Sequence, residues 1–180
     1  MNSTPHSTYL LPLLLLLFWA VACQVSTKPS TMEELEAAYQ QMLSGEQRID
    51  VDSLKGMADL LGKAYLAEVD ADTTAETAPD YLFKAATLYE SSFMNPSYAL
   101  KLYNRLLNNY PQSDWVPESL FKTAFIYHNV LQDLDKARDT FEQFIEQYPN
   151  HELAVSAQSE IDNLGISPDS MLKKILKEGE

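Results

Sequence analysis

The chain has few of the residues from which enzyme and metal sites are built. It contains one cysteine, Cys23, and five glycines, so no intramolecular disulfide can form and the fold must hold by packing alone. The histidines after His6 are His128 and His151, which are not spaced with carboxylates as metal ligands. No phosphate-binding glycine loop or GxSxG motif occurs. The sequence therefore predicts a protein that is not an enzyme and that has no cofactor and no metal.

Clusters of positive charge are also missing. The formal net charge is −13, and none of the first 22 residues is charged, so the whole imbalance belongs to the chain from Cys23 onward. An acidic surface repels phosphate backbones, and no lysine or arginine cluster offsets it. The sequence thus argues against nucleic acid as a partner. The same charge disfavours binding to anionic lipid surfaces without an anchor.

What the chain does have is an internal repeat. The segment from Leu82 to Pro111 recurs thirty-eight residues later, from Leu120 to Pro149. At this offset the aligned pairs are Leu82 and Leu120, Phe83 and Phe121, Lys84 and Lys122, Ala86 and Ala124, Tyr89 and Tyr127, Ala99 and Ala137, Tyr103 and Phe141, Tyr110 and Tyr148, and Pro111 and Pro149. A fixed period of about twenty to fifty residues, with room for two short helices in each copy, is typical of stacked helical repeats.

Each copy has the apolar spacing of a helical hairpin. Three-to-four spacing predicts one face of a first helix, formed by Leu82, Ala85, Ala86 and Tyr89, and then by Leu120, Thr123, Ala124 and Tyr127. The face of a second helix is predicted to contain Ala99, Leu102, Tyr103, Leu106 and Leu107, and then Ala137, Phe141, Phe144 and Ile145. Asn95 and Asp133 are predicted to cap the second helices, which Pro111 and Pro149 end.

This pattern resembles the tetratricopeptide repeat, whose motif has small residues at two fixed positions, aromatic residues at two others and a proline near its end. The matching residues are Ala86, Tyr89, Ala99, Tyr103 and Pro111, and then Ala124, Tyr127, Ala137, Phe141 and Pro149. Each copy differs from the motif by one extra residue in the turn between its helices and by a longer link to the next copy. Leu82 and Leu120 replace the motif's tryptophan. The resemblance implies an all-α fold, a right-handed α-solenoid of about seven to eight helices. The alternative is an unrelated helical bundle.

The remaining segments are predicted to extend this array. Ser30 with Glu33, or Thr31 with Glu34, has the spacing of a capping box at the start of the first helix. The predicted boundaries are a degenerate hairpin at 31–70, a loop at 70–79, a repeat region at 79–165 with repeats at 79–111 and 117–149 and a capping helix at 151–165, and a last short helix at 166–180.

The resemblance also implies a binding surface. In the tetratricopeptide family, first-helix residues that do not pack inside the repeat line a concave groove. By register these are Asp80, Phe83, Thr87, Glu90 and Ser91, and then Glu118, Phe121, Phe125, His128 and Asn129. Exposed phenylalanines with acidic edges would suit a peptide or helix with apolar and basic side chains, whereas a broad groove does not suit a small-molecule substrate. The alternative is that the phenylalanines pack against neighbouring repeats.

The start of the chain predicts a targeting segment. Leu10 to Val21 is a nearly unbroken apolar run, too short to cross a bilayer but suited to a secretory signal peptide at 1–22. The residues before Cys23 resemble the lipobox of bacterial lipoproteins, which implies lipidation of Cys23 and a tether at 23–30. Gln24 then implies an outer-membrane protein facing the periplasm. The alternatives are ordinary cleavage, which releases a soluble periplasmic or secreted protein, and an uncleaved anchor; the leader lacks the usual Lys or Arg.

The end of the second helix in the second copy indicates in which cellular process the protein acts. Tyr148, Pro149 and Asn150 are similar to the repeats of two envelope families, the lipoprotein of the β-barrel assembly machine and the periplasmic coordinator of the Tol–Pal system. The sequence therefore predicts a non-enzymatic scaffold lipoprotein that binds a protein or peptide and serves cell-envelope assembly or maintenance. The alternative is a soluble structural subunit that associates with itself.

Overall fold

The structure is a computed structural model that describes residues 29, 31–44, 50–91, 94–166, 170 and 176. These residues form seven helices and no strand, which confirms the predicted all-α fold. The helices are α1 Met32–Leu43, α2 Val51–Ala71, α3 Ala78–Glu90, α4 Pro96–Asn109, α5 Val116–Asn129, α6 Leu134–Gln147 and α7 Ala154–Asn163. The main contacts join each helix to the next in sequence, as in a helical solenoid.

Several predictions lie outside the described residues. They are the signal peptide at 1–22, Cys23, the tether at 23–30 apart from Pro29, and the last helix at 166–180 apart from Ile166, Ser170 and Leu176. None of the helices in the described ranges is long and apolar enough to cross a membrane.

The thirty-eight-residue period is visible in the backbone of three successive loops. The residues before α3, α5 and α7 are Thr77, Trp115 and Leu153, with φ values of −81°, −82° and −82°. In each loop the first helical N–H donates to the carbonyl three residues earlier, namely Ala78 to Ala75, Val116 to Ser113, and Ala154 to His151. The helix α7 therefore begins as the first helix of a third copy would.

The turns inside the two hairpins are equally alike. The Asn95 side chain accepts the Tyr98 N–H at 3.1 Å, and the Asp133 side chain accepts the Lys136 N–H at 3.2 Å. The N–H groups of the two caps donate to Tyr89 and to Tyr127 in the same register. Both predicted caps are confirmed, and a cap such as Asn95 is worth about 1 kcal/mol because it satisfies an N–H that the helix leaves unpaired.

The core follows the predicted faces, with one difference between copies. Tyr89 is 6% exposed, whereas Tyr127 at the same register is only half-buried. Tyr89 lies against Gly62 of α2, where an added Cβ would stand 2.9 Å from its ring. Thirty-eight residues after Gly62 the chain has Leu100, so the second copy has no glycine at this register. The aromatic ring at the register of Tyr89 is fully buried in the first copy only.

The first hairpin departs from the repeat at the start of its second helix. Helix α2 begins at Val51, seven residues before Ala58, the position that corresponds to the start of α4 at Pro96. Of the two possible capping boxes, the structure forms the one between Thr31 and Glu34.

The predicted loop at 70–79 is shorter than expected. Helix α2 continues to Ala71 and α3 begins at Ala78, so the prediction was wrong at both ends. Helix α3 can begin before Pro79 because proline is tolerated in the first turn of a helix, where an N–H group would have no hydrogen-bond partner within the helix.

Candidate partner-binding surface

The predicted groove residues of the first copy are occupied by contacts between repeats. The Phe83 ring stacks on Trp115, with centroids 4.3 Å apart and planes at 14°, and lies 5.9 Å from the Tyr103 ring. The indole N–H of Trp115 donates to Asp80. Phe83 is consequently half-buried. Sequence reasoning missed Trp115 because Thr77 and Leu153, at the same register, have no aromatic ring.

In the second copy the two phenylalanines differ. The Phe121 ring makes edge contacts with Phe141 at 5.4 Å and with Phe144 at 5.8 Å, and it is half-buried. Phe125 is 36% exposed. The Phe83 and Phe121 rings thus fill space between helices, which was the alternative, and Phe125 is the exposed ring of the three. The partner-binding role of these residues stays a prediction.

The acidic residues of the predicted groove are paired within the chain. Glu90 accepts the Tyr103 hydroxyl at 2.7 Å and the Lys122 ammonium group at 3.0 Å. A matching site lies one junction earlier, where Glu36 accepts the Tyr65 hydroxyl at 2.6 Å and Lys84 at 2.8 Å. Lys84 and Lys122, and likewise Tyr65 and Tyr103, are thirty-eight residues apart. The acidic edges predicted for a basic partner are thus already engaged.

At the third junction the acidic residue lies on the later helix, and its partner is a histidine. His128, thirty-eight residues after Glu90, lies 3.0 Å from Glu160, which is thirty-eight residues after Lys122. The position of Tyr103 is taken by Phe141, which has no hydroxyl. The three pairs Glu36–Lys84, Glu90–Lys122 and His128–Glu160 form what is called here the ion-pair ladder. It ties the first helices of successive hairpins to one another.

The first two junctions contain groups whose pKa values are shifted, namely Glu36, Tyr65 and Tyr103. The hydrogen bond from Lys84 is the main cause that lowers the pKa of Glu36, and the Tyr65 hydroxyl adds to it. Burial raises the pKa values of Tyr65 and Tyr103, and Glu36 and Glu90 respectively raise them further. Glu36 is therefore held as an acceptor, and both tyrosines are held as donors.

Glu118 is joined to the loop before α7. One of its carboxylate oxygens lies 3.5 Å from His151 Nε2, and the other is buried without a hydrogen-bond partner. His151 Nδ1 accepts the Leu153 N–H at 3.2 Å, so Nε2 carries the proton that faces Glu118. This contact helps to seat the third copy on α5.

The remaining predicted groove residues bond to their own helices. The Thr87 hydroxyl donates to the Phe83 carbonyl at 3.0 Å, that of Ser91 to Leu88 at 3.0 Å, and the Asn129 amide to Phe125 at 3.3 Å. Thr87 and Asn129 are exposed, and Ser91 is half-buried. The Thr87 hydroxyl also lies 3.4 Å from the hydroxyl of Tyr103 on α4. Of the ten predicted residues, the exposed ones that have no hydrogen bond or ring contact to another helix are Phe125 and Asn129; this pair is called here the open face.

Metal-ligand geometry is absent from the described part of the chain, in which no group of three or more histidine, cysteine, aspartate or glutamate side chains is placed to hold an ion. Each of His128 and His151 faces a single carboxylate. These histidines are explained by their contacts with Glu160 and Glu118.

The fold defines a helical-repeat protein. Residues 80–113 and 118–151 match the family Tetratricopeptide repeat. These two segments are thus similar to tetratricopeptide repeats, as the sequence predicted, and such repeats are typically non-enzymatic modules for protein–protein interaction. No curated protein matches the chain significantly. The similarity to the two envelope families stays a prediction.

Proposed function

We propose that this protein is a non-enzymatic scaffold that binds an apolar side chain of a peptide or helical partner on the open face. The observation that supports the proposal is the exposure of Phe125, 36%, on α5, while the predicted groove rings Phe83 and Phe121 are packed. A single exposed aromatic ring on a rigid helix is the usual form of a binding anchor, since it offers a large apolar area at little entropic cost.

The packing beneath the open face supports this role. Phe121, one turn before Phe125, is locked against Phe141 and Phe144, and the ion-pair ladder holds α5 on both sides. A partner would therefore meet a surface that does not need to be ordered on binding. Such preorganisation lowers the entropic cost of association.

The charge of the protein favours a basic partner, but not through direct pairing in the groove. Glu90 and Glu118 already have partners within the chain. The net charge of −13 acts over a longer range instead. We expect it to raise the association rate of a basic partner more than the affinity, and to lose this effect in high salt.

The proposed setting is the bacterial envelope, with the protein attached to the outer membrane through lipidated Cys23 and facing the periplasm. The support for it is the apolar run that ends in Ala20, Val21, Ala22 and Cys23, followed by Gln24. In this setting the scaffold serves envelope assembly or maintenance. Cys23→Ala should move the protein from the membrane fraction to the soluble fraction, and its persistence in membranes would rule out lipidation.

The experiment that tests the binding surface compares two serine substitutions on one helix. Phe125→Ser should abolish co-purification of the partner from the native envelope while leaving the melting temperature nearly unchanged. Phe121→Ser should lower the melting temperature because it opens space between helices. If Phe125→Ser retains the partner, the open face is not the binding surface. If size-exclusion chromatography across a concentration series shows that wild-type protein self-associates through Phe125, the structural subunit replaces the scaffold.

A further inference from the structure

The second helices of the array are separated by two grooves, and the first groove is closed. It lies between α2 and α4, where Arg105 binds Asp70 at 2.7 Å and the Tyr110 hydroxyl donates to the Thr73 carbonyl at 2.9 Å. Leu66 and Leu102 both belong to the larger apolar core. An ion pair therefore joins α2 to α4, and a hydrogen bond joins the residues that follow the two helices.

The corresponding groove between α4 and α6 is open. Thirty-eight residues later the ion pair becomes Asn108 and Gln143, between which no hydrogen bond forms, and the two leucines become Asn104 and Thr140. Tyr148, the counterpart of Tyr110, donates no hydrogen bond across the gap. What remains is a groove of about 380 Å³ with α5 as its floor. This volume lies within the range of about 300–1,000 Å³ that ligand pockets occupy.

The floor of this groove contains a buried hydroxyl without a partner. Thr123 lines the groove, is 3% exposed, and its Oγ1 has no hydrogen-bond partner. At the same register in the first copy the chain has Ala85, which is fully buried and leaves no polar atom unsatisfied. A buried polar group without a partner is unfavourable.

The chemistry of the lining indicates which ligand would fit the groove. No charged residue lines the groove, although the chain has 13 basic and 26 acidic residues. Asparagine and glutamine side chains each offer donors and an acceptor, which is the pairing that a peptide main chain requires. Asn104 and Asn108 on one wall, and Gln143 and Gln147 on the other, are one helical turn apart. Four residues of helix rise about 6 Å, close to the roughly 6.6 Å between alternate residues of an extended chain.

We infer that the groove between α4 and α6 is a second binding site, which takes an extended segment of a protein partner and recognises its main chain through the asparagine and glutamine amides. The site is separate from the open face, because it lies between second helices and contains none of the residues proposed for partner binding on the first helices. Its side-chain preference is for small uncharged residues.

The test isolates this groove from the open face. Peptides that bind the full-length protein carrying Phe125→Ser are selected from a random display library. The selected peptide is then synthesised, and its affinity is measured for further variants that also carry Phe125→Ser. Asn108→Ala and Gln143→Ala should each weaken its binding about three- to tenfold, since each removes one or two hydrogen bonds. Asn109→Ala, on the same helix but outside the groove, should not change the affinity. Methylation of alternate main-chain nitrogens of the peptide should weaken binding by a similar factor.

The closed first groove supplies a second variant. Asn104→Leu, Asn108→Asp, Thr140→Leu and Gln143→Arg together give the second groove the residues that close the first. This variant should no longer bind the peptide, and its melting temperature should not fall. If the amides had only a structural role, their replacement would lower the melting temperature. The inference is overturned if no selected peptide loses affinity in the closed variant, or if the methylated peptide binds as well as the parent. If the closed variant does not fold, the two alanine variants decide.

Discussion

The ammonium group of Lys122 on α5 lies 3.0 Å from the carboxylate of Glu90 on α3, at the register where Lys84 meets Glu36 one junction earlier. The same carboxylate of Glu90 accepts the hydroxyl of the fully buried Tyr103. A buried donor, a shared acceptor and a cation from the next hairpin thus form a unit that is repeated along the stack. The next copy has Phe141 at the register of Tyr103 and therefore lacks this hydroxyl. Replacing Tyr103 by phenylalanine copies this difference between the repeats, and it measures what the hydroxyl contributes to the free energy of unfolding.

We expect Tyr103→Phe to lower the free energy of unfolding by about 1.5 kcal/mol, because it removes a hydrogen bond to a charged acceptor while keeping the ring. Glu90 keeps Lys122 as a partner, so the loss should not exceed this value greatly. Urea denaturation gives the measurement. Tyr98→Phe is the matched control, because the Tyr98 hydroxyl has no hydrogen bond in the described structure. Equal effects of the two substitutions would show that the Tyr103 hydroxyl contributes nothing specific.

Alkaline pH should destabilise the protein through its buried tyrosines. The pKa values of Tyr65, Tyr89 and Tyr103 are all raised, mainly by burial. Because the folded-state pKa lies above the unfolded value of about 10, their contribution is present below about pH 10 and is lost as the pH rises above it. The free energy of unfolding, measured by urea denaturation, should therefore fall above about pH 10, and less steeply in Tyr103→Phe. Identical slopes in the two proteins would contradict this assignment.

Two glycines of α2 should respond in opposite directions to alanine. A Cβ at Gly62 would stand 2.9 Å from the Tyr89 ring, whereas one at Gly56 would meet nothing within 4 Å. Gly56→Ala should raise the free energy of unfolding by about 0.5–1 kcal/mol through helix propensity. Gly62→Ala should lower it by about 1 kcal/mol, because displacing the ring outweighs the same gain. Thermal unfolding of both variants checks this, and stabilisation by both would mean that Tyr89 moves freely.

In the pair His128–Glu160 the acidic residue lies on the later helix, whereas in the other two pairs of the ion-pair ladder it lies on the earlier helix. We expect the protein to tolerate an exchange that places the acid at position 128 and the base at position 160. His128→Glu alone places two carboxylates together and should destabilise the protein. The addition of Glu160→Lys should recover the loss, with a coupling energy of about 0.5–1 kcal/mol for this partly exposed pair. A double-mutant cycle in urea, repeated in high salt, gives the coupling energy. Simple additivity of the two changes would show that the third rung is not a ladder contact.

Much of the local structure could be predicted because it depends on neighbouring residues. The caps at Asn95 and Asp133 bond to N–H groups three residues away, and the buried faces follow from three-to-four spacing. The candidate site was less predictable. Register along a first helix assigns Phe83 and Phe125 to the same surface, but it does not say that Trp115 covers one ring and that the other stays exposed.

By itself, the sequence determined the thirty-eight-residue period, the helical hairpins and the residues that line each core, because these depend on short-range spacing and on the identity of aligned residues. Tertiary structure alone decided which charges are paired, which rings are covered and which groove is open. Those outcomes join residues on different helices, such as Arg105 and Asp70, and they depend on how closely these helices pack. One repeated backbone can therefore hold both a closed junction and an open one, according to the few side chains that meet across it.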